Sequence, residues 1–119
     1  MASRYGNHDA FCCGHNFLAM SLALSGDPAA SRRSTDAALQ MAHEYDDPFS
    51  LALTHCFGSV AQQVMGDTER AAENAALSVK IATEHGLLLP RIWSTGVLGW
   101  CSVAGGDARR GQALLAEAI

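Results

Sequence analysis

The chain has 119 residues, 49% of them hydrophobic, and a formal net charge of −4. This length suits one domain that can bury a core. The acidic balance argues against a nucleic-acid-binding surface, and no apolar run approaches the roughly 18–20 residues that a membrane-spanning helix needs. The four cysteines show no disulfide spacing, so we expect reduced thiols and a cytoplasmic protein.

Residues 1–7 are polar and lack periodicity, which predicts an N-terminal tail. Beyond them, apolar residues recur at helical spacing, and start and stop signals predict about six helices. We expect His8 or Asp9 to cap the first helix. The three leucines of the 86–90 connector are expected to pack beneath the helix ends. The predicted helices span 8–25, 28–45, 48–65, 68–85, 90–105 and 107–119.

A Gly-Asp pair recurs every forty residues, at 26–27, 66–67 and 106–107. Glycine can take the left-handed conformation that ends a helix, and aspartate can cap the helix that follows. A fixed period of this length predicts stacked supersecondary units. Residues forty apart also match in size, with small residues at Ala19, Ser59, Gly99, at Ser31, Ala71, Gly111 and at Ala38, Ser78, Ala118, and large apolar residues at Phe17, Phe57, Val97.

These patterns predict an all-α fold of stacked antiparallel helical hairpins, in one repeat domain at 8–119. Its units are about 8–45, 48–85 and 90–119, and the last of them is truncated. An array that ends within a unit exposes an apolar edge. We therefore expect the chain to be a piece of a longer protein, and to form a homodimer through that uncapped edge.

The Gly-Asp turns and the small columns at 31, 71, 111 and at 38, 78, 118 resemble the second helix of a tetratricopeptide repeat. The resemblance implies a right-handed superhelical array, a tetratricopeptide-like α-solenoid. The period of forty differs from the 34 of the standard repeat, and it points toward the longer tetratricopeptide-like arrays.

Five short stretches carry a narrower resemblance that covers most of the chain. They are Tyr5-Gly6-Asn7-His8-Asp9, Cys12-Cys13, Asp47-Pro48-Phe49-Ser50-Leu51-Ala52, Ala82-Thr83-Glu84-His85-Gly86 and Gly99-Trp100. With them the chain resembles the C-terminal helical-repeat region of bacterial multidomain proteins that carry a nucleotide cyclase or regulatory domain followed by a signalling ATPase domain. The resemblance implies a sensory or scaffolding segment, and the sequence contains no phosphate-binding loop that would imply cyclase or ATPase activity.

If the tetratricopeptide register holds, eight first-helix residues point toward a concave surface. A partner helix or peptide could lie in such a groove, with the two tryptophans as anchors. Alternatively, the longer helices curl tightly and these residues fill a core. The eight residues are Cys13, Asn16, Met20, Leu53, Cys56, Val60, Trp93 and Trp100.

Histidine and cysteine crowd the start of the first helix at His8, Cys12, Cys13 and His15. Side chains of these types can hold a soft metal ion. The structural alternative is that His8 or Asp9 caps the helix while both cysteines pack as small apolar groups.

His15 and His55 share a column of the repeat, and its third member is Thr95. Two imidazoles in one column could bind an anion or respond to pH. In the structural alternative, each ring nitrogen bonds to a carbonyl group between helices.

No arrangement of nucleophile, base and acid is recognisable, so we expect no enzyme and no cofactor. The prediction is a protein-interaction or scaffolding module of a bacterial signalling or regulatory protein. It would bind a partner helix or peptide, or its own neighbouring domains, and neither nucleic acid nor membrane. The alternative function is a small-ligand or metal sensor that uses the N-terminal His/Cys cluster or the apolar groove.

Overall fold

The computed structural model describes residues 8–104 together with positions 110, 113, 114, 116 and 117. This part of the chain contains five helices and no strand, which confirms the predicted all-α class for the described residues. The predicted tail at 1–7, the turn at 106–107 and most of the predicted sixth helix at 107–119 lie outside them. The helices are α1 (His8–Leu24), α2 (Pro28–Glu44), α3 (Pro48–Val64), α4 (Thr68–His85) and α5 (Leu88–Ala104).

The first two Gly-Asp turns have the chemistry that the sequence predicts. Gly26 and Gly66 follow α1 and α3 with φ angles of 83° and 85°, in the left-handed region where a side chain is unfavourable. Asp27 and Asp67 are the N-caps of α2 and α4, and each carboxylate accepts a hydrogen bond from the backbone N–H three residues on, at 3.2 Å. Each turn therefore ends one helix and starts the next.

The turn between α2 and α3 reaches the same result without glycine. Asp46 takes the left-handed conformation with a φ of 49°, which short polar side chains tolerate better than others. Asp47 then caps α3, and Pro48 occupies the first turn as predicted.

Small residues fill the space between neighbouring helices. Four of the buried columns are Ala19 and Ser59, Ser31 and Ala71, Ala38 and Ser78, and Ala42 and Ala82, each at most 1% exposed. Side chains this small let helix backbones approach closely. The predicted small columns are thus confirmed for the first two units.

One hydrogen bond recurs in both of these units with its direction reversed. Cys12 donates to the carbonyl of Ala38 at 3.3 Å. Forty residues later the same two positions are Ala52 and Ser78, and here Ser78 donates to the carbonyl of Ala52 at 2.7 Å. The period therefore governs buried contacts as well as residue size.

The five helices form two layers. α3 is central, since it packs against each of the other four. α1 and α5 lie on either side of α3, while α2 fits between α1 and α3 and α4 fits between α3 and α5. The molecule measures 46 × 34 × 18 Å, and its short dimension corresponds to two layers of helices, each about 10 Å across.

The start of α5 corrects the sequence prediction. The helix begins at Leu88 and not at Pro90, and Leu88 and Leu89 are exposed instead of packing beneath the helix ends. Gly86 ends α4 in the left-handed conformation, and the N–H of Leu87 donates back to Ala82 at 2.8 Å. A new helix can start directly after this compact turn, because proline is tolerated in a first turn where its missing N–H has no helical partner.

The predicted cap of α1 is also wrong. His8 and Asp9 both lie within the helix, and Asp9 occupies its first turn, where the carboxylate accepts a bond from the N–H of Ala10 at 2.8 Å. A carboxylate at this point still complements the positive end of the helix dipole.

Candidate partner-binding face

The layer formed by α1, α3 and α5 has one side covered by α2 and α4 and one side that no described element covers. We call the uncovered side the open face. Its defining residues follow the helices at intervals of three, four or seven positions, as one stripe of a helix does. They are Phe17, Met20 and Leu24 on α1, Phe57, Val60 and Val64 on α3, and Trp93, Trp100 and Val103 on α5.

An aromatic row crosses the open face from helix to helix. The ring centroids of Phe17 and Phe57 are 5.3 Å apart, and those of Phe57 and Trp93 are 6.4 Å apart. Both pairs meet edge to face, the arrangement that aromatic quadrupoles favour. These ring contacts link α1 to α3 and α3 to α5 on the open face.

A groove of about 510 Å³ lies on the open face. Gly96 lies between the two tryptophans along α5, so the helix backbone is bare at this point. Among the described residues, no charged side chain lines the groove. Its lining residues are Met20, Cys56, Phe57, Val60, Trp93, Gly96, Val97 and Trp100.

The structure divides the eight predicted groove residues between two cavities. Five of them line this groove, namely Met20, Cys56, Val60, Trp93 and Trp100. The other three, Cys13, Asn16 and Leu53, border a smaller pocket of about 240 Å³ between the N-terminal halves of α1 and α3. Asp9, Phe49 and Ser50 also border that second pocket.

Exposure separates the anchors from the floor of the groove. Trp93 and Trp100 are 45% and 43% exposed, so they do not fill a core in the described structure, whereas Cys56, like Asn16 of the second pocket, is buried. Met20 and Val60 are half-buried between them. Burial also raises the pKa of the Cys56 thiol, which keeps it a neutral part of the floor.

Exposed apolar side chains are concentrated in α1, α3 and α5. Twelve large hydrophobic residues are exposed in the described structure, and ten of them belong to these three helices. The two exceptions are Tyr45, which follows α2, and Leu77, on α4.

Charge has the opposite distribution. Histidines aside, Asp9 and Arg91 are the charged residues of α1 and α5, and α3 has none. Arg91 precedes Trp93 by two positions, so it is rotated by about 200° around the axis of α5 from Trp93 and points away from the open face. By contrast, α2 carries four charged residues and α4 carries five. The open face is therefore apolar and uncharged, and the opposite layer carries most of the helical charge.

The sequence prediction of the partner-binding surface did not include Phe17 and Phe57, which both lie on the open face. Their signal was present in the column of large apolar residues at Phe17, Phe57 and Val97. Matching size does not reveal that the first two members of this column touch, and the three-dimensional arrangement places both of them in the aromatic row.

The histidines and cysteines of α1 do not share a common site, because His8 and Cys12 contact different residues of the chain. His8 Nε2 lies 2.9 Å from Asp47 Oδ2, and its ring stacks on Tyr45 with centroids 4.4 Å apart. The Cys12 thiol bonds into the interior, and burial raises its pKa. Across the described residues, no three potential ligands among His, Cys, Asp and Glu are placed to hold a metal ion. The structure thus does not bring this cluster together as a metal site.

His15 and His55 have different surroundings. His15 packs against the ring of Phe11 at 4.4 Å. His55 Nδ1 lies 2.8 Å from Oδ1 of Asn74, and burial lowers the pKa of His55. The Asn74 side chain in turn donates to Gln62 at 2.7 Å, so His55 belongs to a polar link between α3 and α4.

The described helices and the open face define an all-α protein with one uncovered apolar side. None of these helices combines the length and apolarity needed to cross a membrane. The chain matches no protein-family model, and comparison with curated proteins and with solved structures found no significant match.

Proposed function

We propose that this chain is a protein-interaction module whose open face binds an apolar helix of a partner protein. The observation that carries this proposal is the concentration of exposed large hydrophobic side chains in the nearly uncharged layer α1, α3 and α5. Contiguous apolar patches larger than a few hundred Å² mark interaction sites on soluble proteins.

The interior packing supports the same conclusion. Alanine, serine and cysteine make up most of the buried residues between the helices, while ten large hydrophobic side chains of α1, α3 and α5 are exposed. These side chains cannot enter that interior without separating the helices, because protein interiors are close-packed. They can lose contact with water only by contact with another surface.

The spacing of the two tryptophans suits a helical partner. Seven residues along α5 correspond to a rise of about 10.5 Å, close to the diameter of an α-helix. A helix that crosses α5 above Gly96 could therefore pass between the indoles of Trp93 and Trp100. Tryptophan at such positions commonly supplies most of the energy of an interface.

The proposal extends to the setting of the module. The resemblance to repeat regions beside cyclase and signalling ATPase domains supports a scaffolding or sensory role in a bacterial regulatory protein. The partner helix would then belong to a signalling protein or to a neighbouring domain of the same protein. This chain would itself be part of the right-handed superhelical array that the tetratricopeptide-like pattern implies.

A small-molecule sensor is the alternative function, and the lining of the groove argues against it. The volume of about 510 Å³ is within the usual range for small ligands, but such sites carry a few convergent polar groups that fix orientation. The residues that line the groove supply aliphatic, aromatic and thiol groups. This chemistry suits a broad apolar surface better than a small polar ligand.

A phage-displayed library of random helical peptides tests the proposed function. The chain would be immobilised at low density, and selected peptides would be synthesised and titrated in solution. We expect apolar residues at helical spacing, and a loss of affinity of about thirtyfold or more in Trp100→Ala, as for an interface hot spot.

Leu77→Ala is the matched control, because Leu77 is 45% exposed on the opposite layer. It should leave the affinity unchanged. Peptides that bind Trp93→Ala and Trp100→Ala as tightly as the parent chain would place the interaction away from the open face and refute the proposal.

A further inference from the structure

We infer that the open face is the interface of a symmetric homodimer, in which a second copy of this chain covers α1, α3 and α5. The inference rests on the proposed function, because it assigns an occupant to the same face. It differs from a dimer through the C-terminal edge of the repeat array, which would leave the open face uncovered.

The size of the face is the first argument. The broad side of the molecule measures 46 by 34 Å, and a stable interface buries about 800 Å² on each partner. The exposed stripes extend along all three helices of the layer and are not confined to the groove. Two copies face to face would cover the stripes on both, whereas a single partner helix would leave Phe17, Leu24 and Val64 partly in water.

Charge is the second argument. Removing a charged side chain from water without pairing it is costly, so a surface that can pair without burying charge is favoured as an interface. Pairing through the open face places α2 and α4, with their nine charged residues between them, on the outer sides of the dimer. No charged side chain of α3 would then be buried, since α3 has none.

Symmetry is the third argument. A twofold interface places the same patch on both copies, and the layer has α3 at its centre with α1 and α5 on its two sides. If the twofold axis lies in the interface and runs parallel to α3, then α3 of one chain packs on α3 of the second chain. In the same arrangement, α1 of each chain packs on α5 of the other. The uncharged helix then occupies the middle of the interface, where charged residues are normally depleted.

Sedimentation velocity of the chain and three variants tests the inference. Phe17→Glu and Trp100→Glu place a charge on the open face, and Leu77→Glu places the same charge on the opposite layer at a residue of comparable exposure. We expect the parent chain and Leu77→Glu to be dimers. Each face variant should raise the dissociation constant by about a hundredfold or more, because the substitution occurs twice in a symmetric interface. Circular dichroism of each variant controls for folding.

Three results would overturn the inference. The parent chain could be monomeric at all concentrations, all variants could remain dimeric, or Leu77→Glu could dissociate as readily as the face variants. If the parent chain is monomeric, its co-sedimentation with phosphatidylcholine vesicles can be measured. Binding to the vesicles that is lost in Trp100→Glu would show that the open face binds lipid.

The same samples distinguish this failure from failure of the proposed function. A monomeric parent chain that still binds selected helical peptides through Trp100 would retain the interaction module and lose only the homodimer. A dimer that dissociates when those peptides are added, in the parent chain but not after substitution of Trp100, would support both.

Discussion

Among individual residues, Asn16 is the least well accommodated in the interior. It is 2% exposed, and within the described part of the chain neither the oxygen nor the nitrogen of its amide has a hydrogen-bond partner. Leaving a buried polar group without a partner costs about 1–3 kcal/mol. The repeat does not require an amide here, because the residue forty positions later is Cys56, which is also buried.

Asn16→Cys should therefore stabilise the chain. We expect the free energy of unfolding to rise by about 1 kcal/mol, since the substitution removes two unpartnered polar atoms at similar volume. Urea denaturation under reducing conditions measures the change.

Ser78→Ala is the control for this prediction. Ser78 donates to Ala52 and accepts a bond from Ser94, both at 2.7 Å, so its loss should destabilise the chain by about 1–3 kcal/mol. If Asn16→Cys instead destabilised the chain as much as Ser78→Ala does, the Asn16 amide must be bonded in solution, for instance to an internal water molecule.

Asp47 links the start of α1 to the start of α3. Its carboxylate accepts hydrogen bonds from the Ser50 hydroxyl at 2.7 Å and from His8 at 2.9 Å. Burial alone would raise the pKa of Asp47, but the hydrogen bonds from Ser50 and His8 outweigh it and lower the pKa below the ordinary 3.8. The ionised form is thus the one that the fold stabilises.

The lowered pKa predicts a loss of stability in acid. The contribution of Asp47 is complete above its unfolded-state pKa and is lost as the pH falls through the folded-state value. Between neutral pH and about pH 3, the parent chain should lose on the order of 1 kcal/mol more stability than Asp47→Asn, which keeps a cap but no charge.

Urea denaturation at the two pH values measures this difference, with Asp36→Asn as the control on the exposed surface of α2. Equal acid sensitivity in the parent chain and Asp47→Asn would contradict the assigned role of the carboxylate.

At the scale of elements, the turns at Gly26 and Gly66 set where the helices stop. Their φ angles of 83° and 85° disfavour any residue with a side chain, although no neighbouring atom of the residues that the structure describes lies within 4 Å of an added methyl group at either site. The cost of a substitution is therefore conformational and not steric.

Gly66→Ala should destabilise the chain by about 1–2 kcal/mol, the usual penalty for a left-handed conformation. Gly14→Ala is the matched control, since it lies within α1 with equally open surroundings. Alanine there should stabilise the helix by roughly 0.5–1 kcal/mol. Thermal unfolding of both variants measures the contrast, and a Gly66→Ala protein as stable as its parent would show that the turn can relax to another conformation.

The same turns explain which elements the sequence could predict. Gly-Asp and Asp-Pro end and start helices through their own backbone and capping preferences, which do not depend on the rest of the fold. The starts of α2, α3 and α4 were therefore predicted correctly. The start of α5 was not, because a run of three leucines looks like a buried segment and its exposure depends on how Gly86 closes α4. Short-range sequence signals located the turns, but they did not determine whether the side chains of Leu88 and Leu89 are buried or exposed.

At the scale of the whole molecule, the two layers have different compositions for a physical reason. Close packing between layers requires small residues, and the required sites are filled by alanine, serine and cysteine. Large apolar residues on α1, α3 and α5 are then left on the side away from α2 and α4. The open face results from the same packing that holds the hairpins together.

The sequence predicted this face only in part. The tetratricopeptide register predicted Trp93, Trp100, Met20, Val60 and Cys56, which line one groove. The same register included Cys13, Asn16 and Leu53, which border the second pocket, because a repeat register assigns residues to columns and not to the cavity that each side chain borders. The absence of charge from α3 was visible in the sequence, but its meaning required the central position of that helix.

Tryptophan fluorescence during dilution tests the central claim most directly, that a protein surface covers the open face. Trp93 and Trp100 are the only tryptophans of the chain, and both lie on this face, so the parent protein needs no label or substitution. We predict that their emission shifts to longer wavelength on dilution, in step with dissociation of the dimer, as the indoles become exposed to water. A dimer that dissociates without any change in emission would contradict the account, because its interface would lie elsewhere.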